Sequence, residues 1–173
     1  MSVIKSYLLG LGGNLGQVEQ SFILAIGLLV KRIGNLQAIS SIYLSDALQI
    51  DYTTKQNDYL NCVAEFKSDK SVLEVFDVIS KLEIELGRTR VDKWGPRVID
   101  IDIIAVDDLV FSSEQLQVPH SEMQKRSFVL MPLAEIAPTW AHPILKKTVL
   151  ELNSDLNQPR SCKILKPFPH CES

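Results

Sequence analysis

Two carboxylates stand where a buried strand would carry apolar side chains. The second half of KWGPRVIDIDIIAV (93–106) reads as a strand, with Asp100 and Asp102 inside it. Strand side chains alternate between faces. Asp100 and Asp102 are therefore predicted to share one face with Ile104 and Val106, while Ile99, Ile101 and Ile103 line the other. Two like charges ~7 Å apart repel by about 2 kcal/mol at an effective dielectric of about 20. A hard divalent cation removes that penalty, since Mg²⁺ takes one or two carboxylates together with phosphate oxygens. The loop in front holds Arg88, Arg90, Lys93 and Arg97 around Trp94 and the turn-forming Gly95-Pro96. By itself such a loop is a solvated basic segment. Ahead of a metal-type carboxylate pair it suits a polyphosphate, because guanidinium forks match phosphate oxygens and Trp offers a flat apolar wall.

Other stretches carry weaker signals. GLGGNLG (10–16) sits between a strand and a helix, but Leu15 occupies the third glycine position of a dinucleotide fingerprint, and no G-K-[ST] follows. It is read as a tight turn feeding a helix. In DYLN (58–61), Tyr59 and Asn61 share a strand face and could stack on a flat heterocycle and bond its edge. VPHSEMQKRSFVLMPLAEIAP (118–138) adds His120, Arg126 and Phe128 at a loop-to-helix boundary. Taken singly, a surface Tyr, a structural His and a core Phe would account for them.

The elements that must position these residues follow from periodicity. Residues 6–12 read as a first strand, and Phe22, Ile26, Leu29, Val30 and Ile33 mark a helix over 18–33. A second strand is predicted at 36–44 and a third at 59–67, the latter with Leu60, Cys62, Ala64 and Phe66 on its apolar face. Ser71 and Glu74 have the form of a capping box opening a helix to Gly87, with Val72, Val75, Phe76, Ile79, Leu82 and Leu86 on one side. The strand holding Asp100 completes a β-α-β-β-α-β order. The predicted class is α+β: a ferredoxin-like antiparallel sheet with helices on one face and C-terminal additions. Those additions are LVF at 109–111, a short helix near 130–136 and an irregular tail over 155–173. One domain is expected for the 173 residues.

Bulk properties exclude several classes. A net charge of −3 and a pI near 5.6 give no basic field for nucleic acid. The longest apolar run, FILAIGLLV, falls far short of the roughly 20 residues that span a bilayer. Cys62, Cys162 and Cys171 form no even disulfide set, so a reducing cytoplasm is expected. A monomer without membrane or nucleic-acid partners is expected as well. His170 beside Cys171 is read as a frayed terminus rather than a metal site.

In combination these weak signals become specific. GLGGNLG, YLN, ELGRTR, KWGPRVIDIDII, VPH and RSFVLMPLAEIAP, in this order, resemble the 6-hydroxymethyl-7,8-dihydropterin pyrophosphokinase family from about Ser6 to Pro138. The resemblance implies transfer of pyrophosphate from ATP to the hydroxymethyl group of the reduced pterin, with AMP released, in folate biosynthesis. It also implies two Mg²⁺ ions on Asp100 and Asp102. The pterin would lie between Tyr59 and Phe128, its edge met by Asn61, Ser45 and Leu48. Glu83, Arg88, Arg90, Trp94, Arg97, Ile103, His120 and Arg126 would surround ATP, and Trp94 would also touch the pterin. Arg88 and Arg90 would act in catalysis on a closing loop. No residue is singled out as a general base. Asp46-Ala47, Gln115, Gln117 and Ser121 depart from the residues common in relatives, which puts loop stiffness and ATP affinity in question. A ferredoxin-like regulatory module and a γ-phosphate kinase remain as rivals, separated by the nucleotide product.

Overall fold

The computed structural model of the chain describes residues 3–47, 57–87, 97–157 and 161–169. Alternating apolar residues build β1 (Lys5–Gly13), whose Tyr7, Leu9 and Leu11 point to one side and Leu8 to the other. Helix α1 (Val18–Arg32) follows, then β2 (Asn35–Ile39), β3 (Ile42–Ser45), β4 (Tyr59–Ser68), α2 (Val72–Glu85) and β5 (Asp100–Val106). The anticipated single strand over 36–44 is broken at Ser40. That serine donates its N–H to the Val63 carbonyl, and its Oγ accepts the Val63 N–H at 3.0 Å. A side chain thus replaces part of the backbone ladder, and both β2 and β3 pair with β4. The capping box of α2 is formed by Ser71 and Glu74 as anticipated.

After β5 come β6 (Phe111–Ser112) and β7 (Gln117–Val118), a small hairpin, then α3 (Ser127–Ile136), α4 (Val149–Ser154) and β8 (Cys162–Lys166). The tail is therefore not wholly irregular, because β8 pairs antiparallel with β3. The main sheet is six-stranded, with the order β5-β1-β4-β3-β8 and β2 also on β4. All its pairings are antiparallel.

Both core helices lie on one face, as the ferredoxin-like pattern requires. Phe22, Ala25, Ile26 and Leu29 of α1 and Val75, Ile79 and Leu82 of α2 pack on Leu9, Leu11, Cys62, Ala64, Phe66, Ile101 and Ile103. The C-terminal additions cover part of the other face. There Leu130 and Leu133 of α3, with Val149 and Leu152 of α4, pack on Leu8, Val63, Ile104 and Ala105.

Strict alternation fails once in β5. Leu8 pairs with Ala105 and Leu9 with Ile103, so Ile104 is an additional residue, a β-bulge. The bulge turns Val106 away from the aspartate face and into the α1–α2 core, contrary to the strict alternation read from the sequence. It also presents the Ile104 carbonyl to the His120 N–H at 2.8 Å. An aspartate at Val106, buried among apolar side chains, should cost on the order of 4 kcal/mol or more. Val110→Asp, on an exposed side chain, should change stability by less than about 0.5 kcal/mol. Urea midpoints of the two variants check the face assignment, and equal, small losses would contradict it.

Candidate active site

The second face of the sheet changes character along three neighbouring strands. On β1, Leu8 gives way to Gly10 and Gly12; on β4, Val63 gives way to Asn61 and Tyr59; on β5, Ile104 gives way to Asp102 and Asp100. The register aligns these changes. Gly10 pairs with Val63 on one side and Asp102 on the other, and Gly12 pairs with Asn61 and Asp100. Neighbouring strands lie about 4.8 Å apart, so an open glycine floor separates a carboxylate row from an Asn–Tyr row by about 10 Å. GLGGNLG is thus not simply a turn. Gly10 to Gly13 belong to β1, and the bend comes after Asn14. A Cβ on Gly12 would come within 3.2 Å of Asn61 Oδ1, and one on Gly10 within 3.1 Å of Ile104 Cδ1. The period-two spacing of these glycines was the signal for a strand floor.

This floor belongs to a cavity of about 590 Å³ whose walls include Ser45, Tyr59, Asn61, Arg97, Asp100, Asp102, His120, Arg126 and Phe128. Asn61 is buried, and its Nδ2 donates to Ser45 Oγ at 2.8 Å. Its Oδ1 is left above Gly12, where it can accept from an incoming N–H. Opposite, the first turn of α3 delivers Phe128, with the Arg126 guanidinium 5.7 Å from its ring centroid.

The charged half is equally built. Arg97 Nη1 donates to Asp100 Oδ2 at 2.7 Å, and both side chains are about three-quarters shielded from solvent. Although burial works against it, that carboxylate holds the guanidinium above its usual pKa. Gly13 lets β1 run close to this segment, since a Cβ there would lie 2.6 Å from the Val98 carbonyl. Asn14 then ties the entries of two strands together. Its Oδ1 accepts the Arg97 N–H at 2.9 Å, and its Nδ2 donates to the Asn57 carbonyl at 3.0 Å. His120 accepts the Glu122 N–H on Nδ1, which leaves the neutral ring's proton on Nε2. Burial pushes its pKa down; the Asp102 carboxylate opposes the shift, and Arg126 adds to it.

Asp102 and His120 also line a smaller cavity of about 180 Å³, with Phe76, Ile101, Ile103, Gln115, Leu116, Gln117 and Ser121. Ten of the anticipated site residues therefore meet at two adjoining cavities: Ser45, Tyr59, Asn61, Arg97, Asp100, Asp102, Ile103, His120, Arg126 and Phe128. Glu83 lines neither. It is buried beneath β5 and accepts the Ile101 N–H at 2.7 Å, which fixes that strand. Leu48, Arg88, Arg90 and Trp94 lie outside the described residues. The sequence reading missed Gly10, Gly12, Ile104 and Lys125 as wall residues. Lys125, ion-paired with Glu122 at 3.2 Å, gave no distinguishing signal in the sequence.

The sequence profile of 7,8-dihydro-6-hydroxymethylpterin-pyrophosphokinase (HPPK) matches residues 8–138. The chain belongs to the HPPK family. It is 39% identical over 144 residues to the 2-amino-4-hydroxy-6-hydroxymethyldihydropteridine pyrophosphokinase of Synechocystis, covering 83% of this chain and 72% of that one. The enzyme of that name from Aquifex aeolicus is 37% identical over 158 residues, 91% of this chain and 96% of its relative. Among solved structures, Plasmodium falciparum HPPK-DHPS superposes with a TM-score of 0.72 at 16% identity, which establishes the shared fold. The match covers 89% of this chain but 45% of that longer one. No helix among the described residues is long and apolar enough to cross a membrane.

Replacing Glu83 tests its place in this HPPK fold. Glu83→Ala strips the buried Ile101 N–H of its acceptor and should cost about 1–3 kcal/mol. Glu83→Gln keeps an acceptor there and should cost less. Equal unfolding free energies for the two variants, by denaturant titration, would count against the anchoring role.

Proposed function

We propose that this chain transfers a pyrophosphoryl group from ATP to the hydroxymethyl oxygen of 6-hydroxymethyl-7,8-dihydropterin, releasing AMP, as a step in folate biosynthesis. Family membership supports the reaction. The observation that carries the reading is the Asn61–Gly12–Asp100 rung, which sets an aromatic and amide half against a cationic and carboxylate half across one glycine floor.

In this reading the pterin ring lies between Tyr59 and Phe128, with Asn61 Oδ1 and Ser45 at its edge. Arg97 and Arg126 take phosphate oxygens, and His120 donates to one through Nε2. The smaller cavity, with apolar walls from Phe76, Ile101, Ile103 and Leu116 and amides from Gln115 and Gln117, receives the base. Arg88, Arg90 and Trp94 join the nucleotide on the strength of the family resemblance, and Leu48 joins the pterin loop.

Asp100 and Asp102 fit Mg²⁺ by donor chemistry: hard carboxylate oxygens on one face of a strand, lining the same cavity. Among the described residues no third His, Cys, Asp or Glu converges with them. That suits an ion completed by phosphate oxygens and water. When bound, two such ions supply charge neutralisation and in-line alignment at the phosphates.

The protein's own part is positioning. The hydroxymethyl oxygen forms a bond to the β-phosphorus, the bond from that phosphorus to the oxygen bridging to AMP breaks, and the hydroxyl proton departs to solvent. Transfers of this kind depend on alignment and electrostatics more than on a strong base, and no side chain is assigned as one.

The decisive assay is the nucleotide product. AMP should form from Mg·ATP only when the reduced pterin is added; ADP would indicate a γ-phosphate kinase instead. Asp100→Asn and Asp102→Asn should each lower kcat by about 100-fold or more. Asp100→Asn also weakens the Arg97 pairing and should lower apo stability. Near-normal turnover of either variant at millimolar Mg²⁺ would remove the carboxylates from the mechanism.

The ring-stacking half has its own test. Stacking on an aromatic face contributes about 1–3 kcal/mol. Phe128→Ala and Tyr59→Ala should therefore weaken pterin binding about tenfold or more, with the affinity for an unreactive ATP analogue nearly unchanged. Fluorescence titration of the pterin measures this. A large drop in Tm with pterin affinity intact would assign Phe128 to packing alone.

A further inference from the structure

One carboxylate that is not among the cavity's lining residues joins the two elements that carry its ring-binding walls. Glu135, near the end of α3, accepts the Ser41 N–H at 3.0 Å and the Ser41 hydroxyl at 2.9 Å on Oε1. Its Oε2 accepts the Tyr43 hydroxyl at 2.9 Å. The Ser41 N–H is available because Ser40 interrupts the strand just before it. Tyr43 is buried, and burial first, then the Glu135 bond, pushes its hydroxyl well above the usual tyrosine pKa, so it stays a donor.

Each partner lies in line with a cavity wall. Tyr43 and Ser45 are two apart on β3 and share a face. Tyr43 pairs with Asn61, and Ser45 pairs with Tyr59. On α3, Phe128 and Glu135 are seven residues apart, which at 100° per residue puts them on nearly the same stripe, about 10 Å apart along the axis. The apolar contacts of Leu130 and Leu133 hold α3 against the sheet. Hydrophobic contact is non-directional; it sets the height of the helix over the sheet but resists sliding along β3 poorly. Charge-assisted hydrogen bonds are directional, and those of Glu135 resist that slide.

From this geometry we infer that Glu135 is a positioning residue for the ring-binding half of the cavity, fixing Phe128 of α3 against the Ser45–Asn61 pair through Ser41 and Tyr43. The inference rests on the pterin reading above. It assigns Glu135 no contact with substrate, only control of the spacing between two groups that make one.

The test compares Glu135→Ala, Glu135→Gln, Tyr43→Phe and, as a packing control, Leu152→Ala in α4. For each, the Kd of the reduced pterin is measured in the presence of an unreactive Mg·ATP analogue, alongside the Kd of the analogue alone, KM, kcat and Tm. Glu135→Ala should weaken pterin binding and raise its KM by fivefold or more, with kcat and analogue affinity within twofold. Glu135→Gln, which keeps an acceptor for Ser41, should recover most of that loss, and Tyr43→Phe should show part of it. Leu152→Ala should lower Tm while leaving pterin affinity within twofold. The inference is overturned if Glu135→Ala binds pterin normally, or if Leu152→Ala weakens pterin as much. Failure of the underlying reading looks different: wild type would not bind the pterin, or Phe128→Ala would bind it as wild type does.

Discussion

The cavity depends on a stretch of β1 that carries no side chains on one face. Gly10 and Gly12 stand between β4 and β5, so the side chains of Asn61 and Asp100 can face one open space rather than a filled rung. The same β1 presents Leu9 and Leu11 to the helical core on its other face. One nine-residue strand therefore supplies both apolar burial and an empty floor. The carboxylates sit on a strand held by β1 on one side and by the buried Glu83 from beneath. That rigidity is what a pair of like charges requires if a cation is to meet both in a fixed geometry.

The β-bulge at Ile104 settles a competing demand. A strictly alternating β5 would have put an apolar Val106 on the face of the aspartates and left the helical core short of a contact. With one additional residue, Asp100, Asp102 and Ile104 stay on the cavity face while Val106 joins Ile101 and Ile103 in the α1–α2 core. The displaced carbonyl is not lost, because it accepts the N–H of His120 and brings that ring beside Asp102. Bulges gather next to active sites for this reason: they re-aim side chains without ending the strand.

Much of this was legible in the sequence, for identifiable reasons. Helices α1 and α2 show through 3.6-residue periodicity and the Ser71–Glu74 cap, and β4 through apolar residues at Leu60, Cys62, Ala64 and Phe66. The Asp100–Asp102 pair was conspicuous because charge is costly on an otherwise apolar strand. What stayed hidden depended on pairing rather than on local pattern. The bulge needs the register with β1, the break at Ser40 is made by a bond to Val63, and β8 is a strand only because β3 lies beside it. The bond from Glu83 to the buried Ile101 N–H was hidden too, because it depends on where β5 passes the helix.

The arrangement of the second face bears on how the chain is made. Leu8 and Val63 belong to strands completed early in synthesis, but the side chains that cover them, Leu130, Leu133, Val149 and Leu152, lie more than sixty residues downstream of Val63. At ribosomal rates of roughly 5–20 residues per second, that face stays wet for several seconds after the α1–α2 layer can form. The nascent sheet is thus a one-sided sandwich, finished on its core side and sticky on the side that becomes the cavity. Its glycines carry no apolar side chains, so the wettest part of that unfinished face is also the part least able to adhere to another chain.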